Sequence, residues 1–389
     1  MAQKHPIIEI QPSILIWARE SIGLSVNDVA QKLGKDVQII EQWESGINFP
    51  TLPQLEKLAY EVYKRPLAVF FMSEPPREPS LKKDFRTINS ITHSPLSKEL
   101  ILLVRKAKHH QFSLIEAFGE KNPFDPIHKK VKIENLSKDP NVPLVVKENM
   151  GISLHIQKAF RDAEDTYSKY RDILAQNGIF TFQYPFPNDI VRGFCLYDLE
   201  YPIIVINSHD STSAKLFSLF HELSHILLHE GDFYEDTFNG KVSPKEQFCN
   251  WFASEILVPE NELFQIPAVN SLHNKNHIPE DILTPIARNF KVSPEVILRK
   301  LVDMDLCSRS FYLYMHNIWS KRYKEKQEKR KDNDGGPTYY VTHLSHIGKT
   351  YARNIIELYG AGKILNTQAA DFLGVKINNI SKLADLIYK

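Results

Sequence analysis

The sequence predicts a mainly helical chain that contains one small domain of mixed helices and strands. Apolar residues at helical spacing, bounded by N-cap residues or terminal glycines, recur along most of the 389 residues. Short alternating or β-branched runs, which are typical of strands, cluster between residues 179 and 207. The pattern therefore indicates a helical protein with a single small sheet.

Composition limits the class of protein. Hydrophobic residues make up 42%, charged residues 24%, and the formal net charge is +1, as in a soluble globular protein. A net charge so close to zero excludes electrostatic attraction of the whole chain to nucleic acid, so any DNA-binding surface must be local. The cysteines, Cys195, Cys249 and Cys307, lack metal-binding spacing and are typical of a reducing compartment. Without an apolar signal core or a run of membrane length, we expect a cytoplasmic protein without membrane contact.

The chain length leaves room for several domains, each with its own core. We divide it into an N-terminal helical domain (1–72), a linker and helical connector (73–150), an α+β domain (151–310) and a helical C-terminal domain (311–389).

Residues 13 to about 65 read as a run of short helices. Gly23 ends the first helix, Ser25 caps the second, Gly34 ends the second, and the third runs from about residue 36 to Gly46. Two helices joined through a tight glycine turn predict a helix-turn-helix, with the third element as recognition helix.

This segment resembles XRE-type DNA-binding domains. The matching residues are Ala30, Leu33, Trp43-Glu44-x-Gly46, Pro50-Thr51 and Leu55-x-x-Leu58-Ala59. We place Gln38 and Gln42, one turn apart, at base edges, because an amide can pair bidentately with adenine. Ser25 is expected at a phosphate.

Acidic residues lie in or beside the predicted recognition helix: Asp36, Glu41 and Glu44. A DNA-reading surface usually presents basic residues. A role in dimerisation or protein docking therefore remains an alternative for this domain.

The connector begins with a stiff, proline-rich stretch at residues 74–79 and continues as a helix from about residue 96 to 120. Residues 121–150 are lysine-rich, with prolines at 123, 126, 140 and 143 that lower helix propensity. We expect this stretch to be extended, so that it could occupy a groove of the protein as a pseudo-substrate would.

The α+β domain is predicted to open with one amphipathic helix, from about residue 154 to 177, followed by three strands at 179–182, 192–197 and 202–207. The edge of such a sheet can pair with the extended backbone of a peptide substrate.

The helix after the sheet carries His221-Glu222-Leu223-Ser224-His225. Two histidines four residues apart lie on one helical face, so both imidazoles can reach a single ion. Glu222 projects close by, where it can act as a base on a water molecule. The helix is so apolar that these groups would be costly to bury without a partner, which favours a metal site over a structural pair.

A third ligand is expected downstream. The metzincin class is excluded because Gly231 stands where its third histidine would be. Glu246 is the better candidate, although its place three residues after the helix-capping Ser243 also fits a capping box. For His229, a packed histidine and a chemical role are equally open. Glu255 lies on the opposite helical face.

These motifs together resemble the ImmA/IrrE metallopeptidases over about residues 150–300. The resemblance rests on the His-Glu-x-x-His helix, then Glu246-x-x-Cys249-Asn250-x-Phe252-Ala253 and Leu257-Val258-Pro259. It implies a Zn²⁺ cofactor held by His221, His225 and Glu246, with Glu222 as the catalytic base. Cys249 stands where the family more often has alanine. The predicted fold class is thus mainly α with a small α+β zincin-like peptidase domain, an N-terminal helix-turn-helix and a helical C-terminal unit.

The resemblance implies a regulatory zinc endopeptidase that cuts a protein substrate such as a repressor or an antitoxin. With DNA as the partner of the N-terminal domain, the expected outcome is control of transcription in a stress or phage response. The alternative is a non-catalytic DNA-binding regulator with a structural or sensing zinc site. Glu222 favours the enzyme, because a structural site has no use for a base. A homodimer is compatible with the sequence.

The C-terminal part begins with a strongly charged stretch, residues 320–336, which we interpret as a solvated helix and hinge. Residues 364–375 could form a second helix-turn-helix-like unit. Because its helices carry few basic residues, we expect it to serve self-association or sensing.

Overall fold

Helices predominate among the residues that the structure describes, and one three-stranded sheet accompanies them there, which confirms the predicted fold class. The computed structural model describes residues 7–76, 98–186, 192–229, 243–272, 276–331 and 338–388. The chain divides into two units, residues 1–105 and 106–389, and each is described by itself. No helix among the described residues is long and apolar enough to cross a membrane.

The first unit is a set of short helices. They are α1 (Pro12–Glu20), α2 (Val26–Leu33), α3 (Val37–Ser45), α4 (Leu52–Glu56), a π-helical continuation (Lys57–Tyr63) and a 3-10 helix (Leu67–Phe71). The predicted boundaries hold because the local signals are strong. Ser25 caps α2 by accepting from the Asp28 amide, and Gly34 ends α2 in the left-handed conformation at φ 63°. Ile14, Val29 and Trp43 fill the core between these helices.

Helix α5 (Lys98–Phe118) runs across the border into the second unit. The helices that follow it are α6 (Ile127–Lys130), α7 (Asn141–Asn149), α8 (Leu154–Ala159) and α9 (Ala163–Gln176). The prediction of one helix over 154–177 is wrong. The chain breaks after Ala159, and Asp162 caps the new helix α9 by accepting from the Asp165 amide.

The stretch 121–150 is not the extended segment that its prolines suggested. It contains α6 and α7, and Ile127 and Val146 are fully buried in the core of the second unit. The prediction of an extended pseudo-substrate is therefore wrong for these helices. The segment is a structural layer of the unit.

The sheet has the order β1-β3-β2, with strands β1 (Phe180–Tyr184), β2 (Gly193–Leu196) and β3 (Ile203–Asn207). The central strand β3 pairs parallel with β1 and antiparallel with β2, and Gly193 lies opposite Ile206. All five residues of β3 are buried, which explains the apolar run from Ile203 to Ile206.

Two helices follow the sheet: α10 (Thr212–Leu227), which packs on β2 and β3, and α11 (Pro244–Leu257), which packs on α10. The unit continues with α12 (Glu260–Phe264), α13 (Pro267–Asn270), α14 (Glu280–Phe290), α15 (Pro294–Asp303) and α16 (Arg309–Lys331). The last helices are α17 (Tyr339–Ile347), α18 (Lys349–Gly360), α19 (Asn366–Leu373), a 3-10 turn (Ile377–Asn379) and α20 (Ile380–Tyr388).

A buried polar network joins α7, α8 and α9 to the site-bearing part of the unit. The side-chain carbonyl of Gln157 accepts from Lys147 Nζ at 2.7 Å and from the Tyr170 hydroxyl at 2.8 Å. Its amide nitrogen donates to the carbonyls of Leu257 at 2.9 Å and Phe290 at 2.7 Å. Gln157 thus uses all its hydrogen-bonding capacity to fix helices that the sequence pattern does not connect.

Lys147 should make the stability of the protein depend on pH. Burial lowers its pKa to about 7, although the charge of Glu255 acts in the opposite direction. Between about pH 7 and 9 the unfolded chain keeps this proton while the folded protein releases it, so the free energy of unfolding rises with pH. We expect the midpoint of urea denaturation to increase over this range, and to increase much less in Lys147→Met.

The matched control for that prediction is Lys169→Met, which removes an exposed lysine from α9. It should retain the wild-type pH dependence. A wild-type midpoint that is flat or falls between about pH 7 and 9 would contradict the prediction.

Candidate metal centre

Helix α10 brings the two predicted histidines together. Ser211 caps the start of the helix by accepting a hydrogen bond from the Ala214 amide. Gly231, the residue that excluded the metzincin class, lies outside the described part of the chain. His221 and His225 are one turn apart, with their Nε2 atoms 3.3 Å from each other. His225 is buried and His221 is partly buried, as expected for polar groups on an apolar helix.

Glu246 comes to the same point from α11. Ser243 accepts from the Glu246 amide at 3.1 Å, which caps the helix. The Glu246 carboxylate turns to the imidazoles, with Oε2 3.1 Å from Nε2 of His221 and Oε1 3.3 Å from Nε2 of His225. Burial acts to raise the pKa of Glu246, but hydrogen bonds with the two histidines outweigh it and lower the pKa below its ordinary value. The carboxylate is therefore ionised at neutral pH.

The donor set matches the chemistry of zinc. Zinc takes nitrogen and oxygen donors at about 2.0–2.1 Å in a tetrahedron, which places neighbouring donors roughly 3.3 Å apart. The two Nε2 atoms lie 3.3 Å apart, and each lies 3.1–3.3 Å from one oxygen of the Glu246 carboxylate. Within the described part of the chain, no second group of three such side chains converges in this way. The three residues fit a zinc ion.

Glu222 lies beside this cluster and is buried, with 6% of its surface exposed. Burial raises the pKa of its carboxyl group, while the charges of His221 and His225 act to lower it. The side chain lies next to β2: a Cβ on Gly193 would be 3.4 Å from Glu222 Cγ, and it would be tighter, at 3.1 Å, against the Val205 carbonyl oxygen and Ile206 Cδ1. The glycine in β2 therefore allows the close approach of β3 beside Glu222, a feature that the sequence argument missed and that a glycine inside a short strand could have suggested.

The sequence argument assigned no contact to Cys249. Its sulfur lies 3.8 Å from Nδ1 of His225, on the side of the ring opposite the cluster. Cys195 on β2 forms a hydrogen bond with the Glu222 side chain and acts to lower its pKa. Two of the cysteines thus contact two of the three functional side chains of α10, His225 and Glu222.

His229, which the sequence left open, and Glu255, which it placed on the opposite helical face, both have other partners. His229 adopts a positive φ of 55° just beyond α10, and its ring donates to the His128 carbonyl at 2.7 Å, so it is a packed histidine. Glu255 is buried in an ion pair with Lys300 and accepts from the Glu260 amide at 3.0 Å. Neither residue belongs to the cluster.

The three residues predicted to contact DNA lie in the first unit. Gln38 and Gln42 lie on α3, where Gln38 is exposed and Gln42 is partly buried. Ser25 is exposed, and its hydroxyl donates to the Asp28 carboxylate at 2.6 Å within the cap of α2.

The acidic character of α3 is smaller than the sequence suggested. Glu44 turns inward and forms two hydrogen bonds with the Arg19 guanidinium, at 2.7 Å and 3.0 Å. This pairing raises the pKa of Arg19 and neutralises one of the three acids counted against DNA binding. Asp36 and Glu41 remain exposed.

The fold and the site define a helix-turn-helix region joined to a domain of the metallopeptidase class. Residues 174–302 match the model of a peptidase family described as the IrrE N-terminal-like domain, and residues 15–59 match a family model described as Helix-turn-helix. The resemblance proposed from the motifs is thereby confirmed: an XRE-type helix-turn-helix is fused to an ImmA/IrrE-like peptidase domain. No curated protein matches the chain.

Proposed function

We propose that the chain is a zinc-dependent endopeptidase in which His221, His225 and Glu246 hold Zn²⁺. The supporting observation is the convergence of three ionisable side chains, from two helices, with ligand atoms within 4.8 Å of one another. A zinc ion held by these residues would supply Lewis acidity for a bound water and for a substrate carbonyl group.

In this proposal Glu222 is the general base and then the general acid. It accepts the proton of the attacking water and delivers it to the amine that leaves when the peptide bond breaks. Its raised pKa suits this role, because a carboxyl group closer to neutral pH can both accept and return a proton. A structural zinc site would not need a buried carboxyl group next to its ligands, whose burial is costly.

The proposed substrate is an extended segment of another protein. Helix α10 packs against β2, and among the described residues β2 pairs only with β3. The other edge of β2 can therefore hydrogen-bond an extended backbone and hold it beside the cluster. Together with a DNA-binding region, such a peptidase suits the cleavage of a repressor or an antitoxin-like protein in a stress or phage response.

The test compares cells that contain the wild-type protein with cells that contain Glu222→Gln. Mass spectrometry of protein N-termini should find a small set of new termini only with the wild type. An identical set of termini in both strains would favour the alternative, a DNA-binding regulator with a structural or sensing zinc site.

We also propose that α3 reads DNA through Gln38 and Gln42, with Ser25 at a phosphate. The exposure of Gln38 and the internal pairing of Glu44 support this proposal. Ser25 is the weakest of the three, because a phosphate would have to replace its hydrogen bond with Asp28.

Gln42→Ala should relax the sequence preference of the full-length protein at one or two base pairs. A bidentate amide–adenine pair contributes about 1–3 kcal/mol of discrimination. Selection from a random duplex library, followed by sequencing, measures this preference. Gln31→Ala, which removes the same side chain from the exposed face of α2, is the matched control and should keep the wild-type motif. If the wild type enriches no sequence, the domain is a protein-docking unit.

A further inference from the structure

The C-terminal helices repeat the geometry of the N-terminal helix-turn-helix. Helices α2 and α19 each have eight residues and end at a left-handed glycine, Gly34 at φ 63° and Gly374 at φ 64°. The next helical segment starts three residues later in both cases, at Val37 and at Ile377. The two helix pairs therefore share helix length, turn and spacing.

The hydrogen bonds of the turn are also repeated. Lys35 donates its amide to the Ala30 carbonyl at 3.0 Å, and Val375 donates to the Ala370 carbonyl at 2.9 Å. In both helix pairs the residue whose carbonyl accepts this hydrogen bond is alanine. A small side chain at this position allows the two helices to approach.

The same correspondence holds at the start of the first helix. The Ser25 amide donates to the Asp28 side chain at 2.8 Å, and the Leu365 amide donates to the Gln368 side chain at 2.9 Å. Both helices thus begin with the side chain of the third helical residue folded back on the N-cap.

Burial follows the same register in the second helix of each pair. Ile40 and Trp43 face the core in α3, and Ile380 and Leu383 do so at the equivalent positions of α20. The exposed residues next to them are Ser381 and Lys382 on α20, and Asn378 in the 3-10 turn that precedes it. They stand at the positions that Glu41, the partly buried Gln42 and Gln38 occupy on α3.

The charge of residues 338–388 favours a polyanion as the partner of the C-terminal helices. Residues 338–388 contain five Lys or Arg and three Asp or Glu, whereas residues 7–76 contain six and nine. The exposed face of α20 has a serine where α3 has Glu41, and a lysine where α3 has Gln42. The amide, hydroxyl and ammonium groups of this face are suited to phosphates and base edges. The apolar Ile377 beside Asn378 is also exposed.

We infer that residues 338–388 are a second helix-turn-helix, which binds duplex DNA through the outward face of α20. The chain then carries a DNA-binding element at each end of its peptidase domain. The inference does not depend on the proposed peptidase activity. It replaces the expectation of self-association, which rested on the low number of basic residues in these helices.

The test measures binding of the full-length protein to a fluorescein-labelled duplex of mixed sequence, about 30 base pairs long, at several salt concentrations. The variant, called the α20 variant, is Lys376→Glu with Lys382→Glu. It reverses the charge of two exposed lysines, one just before the 3-10 turn and one on α20. We expect its affinity to fall at least tenfold at low salt, and the slope of log K against log salt to become shallower by about 2, because two phosphate contacts are lost.

The matched control is Lys349→Glu with Arg353→Glu, the same charge change within the same unit but on α18. It should change the affinity by less than about twofold. Equal losses in both double variants, or no loss in the α20 variant, would overturn the inference. A changed sedimentation coefficient of the α20 variant with unchanged DNA binding would do the same, and would assign the surface to self-association.

Lys382 also lies over the Tyr340 ring, 5.2 Å from its centroid, so the double variant could lose stability. Asn378→Asp provides a second test, because it adds a negative charge to an exposed position of the 3-10 turn that leads into α20. It should weaken binding to the same duplex while the melting temperature stays at the wild-type value. A well-folded Asn378→Asp protein with wild-type affinity would also overturn the inference.

Discussion

Glu222→Gln is expected to abolish proteolysis while the protein stays folded and keeps its zinc. The amide cannot accept the proton of the attacking water, and the loss of a general acid–base group typically slows a reaction by about 10²- to 10⁴-fold. The substitution also removes a buried carboxyl group whose ionisation is opposed by its environment. We therefore expect a melting temperature equal to or above that of the wild type.

The measurement is the rate of cleavage of a protein identified from wild-type cells, with zinc content determined on the same sample. Glu148→Gln makes the same chemical change at an exposed position of α7 and should retain full activity. Cleavage by Glu222→Gln at more than about a tenth of the wild-type rate would contradict the assigned role. Loss of zinc together with activity would instead indicate that Glu222 supports the site.

The fold of the first unit could be predicted because its signals are local. Ser25 and Gly34 lie at the ends of α2 and determine its boundaries through their own backbone and side-chain geometry. The spacing of His221 and His225 is local in the same sense, since a single helix fixes it. Such features can be recognised without knowledge of the rest of the chain.

The prolines at 126, 140 and 143 misled the prediction for a physical reason. Pro126 and Pro140 occupy the N-cap positions of α6 and α7, and Pro143 lies in the first turn of α7. The amides of a first turn have no partner within the helix, so a proline there costs little. Proline content therefore marked helix starts in this segment, whereas we interpreted it as an absence of helices.

Other features depend on contacts between distant parts of the chain. Gln157 bonds to carbonyl groups 100 and 133 residues away in sequence, and no periodicity indicates such partners. Gly193 matters because a Cβ there would come within 3.1 Å of Ile206 and of the Val205 carbonyl oxygen, beside Glu222. The choice between capping and metal binding at Glu246 was also undecidable from spacing, because the third helical position permits both.

Two variants separate capping from metal binding. One should lower stability and keep zinc, and the other should keep the helix cap and lose zinc. Ser243→Ala removes the hydroxyl that accepts from the Glu246 amide, so it should destabilise the protein by about 1 kcal/mol and leave one zinc per chain. Glu246→Gln keeps this cap and removes the carboxylate that faces both imidazoles. Since loss of a residue that only supports a ligand weakens metal binding about 10- to 100-fold, loss of a ligand should exceed that range.

Zinc content after dialysis against a weak chelator, combined with urea denaturation of the metal-free proteins, separates the two roles. His221→Ala and His225→Ala should lose zinc as Glu246→Gln does, because each removes one of three donors that converge on one point. Full zinc occupancy in both histidine variants would show that the metal lies elsewhere. Full occupancy in Glu246→Gln with intact histidines would leave the carboxylate as an ion-pair partner of the imidazoles and require a different third ligand.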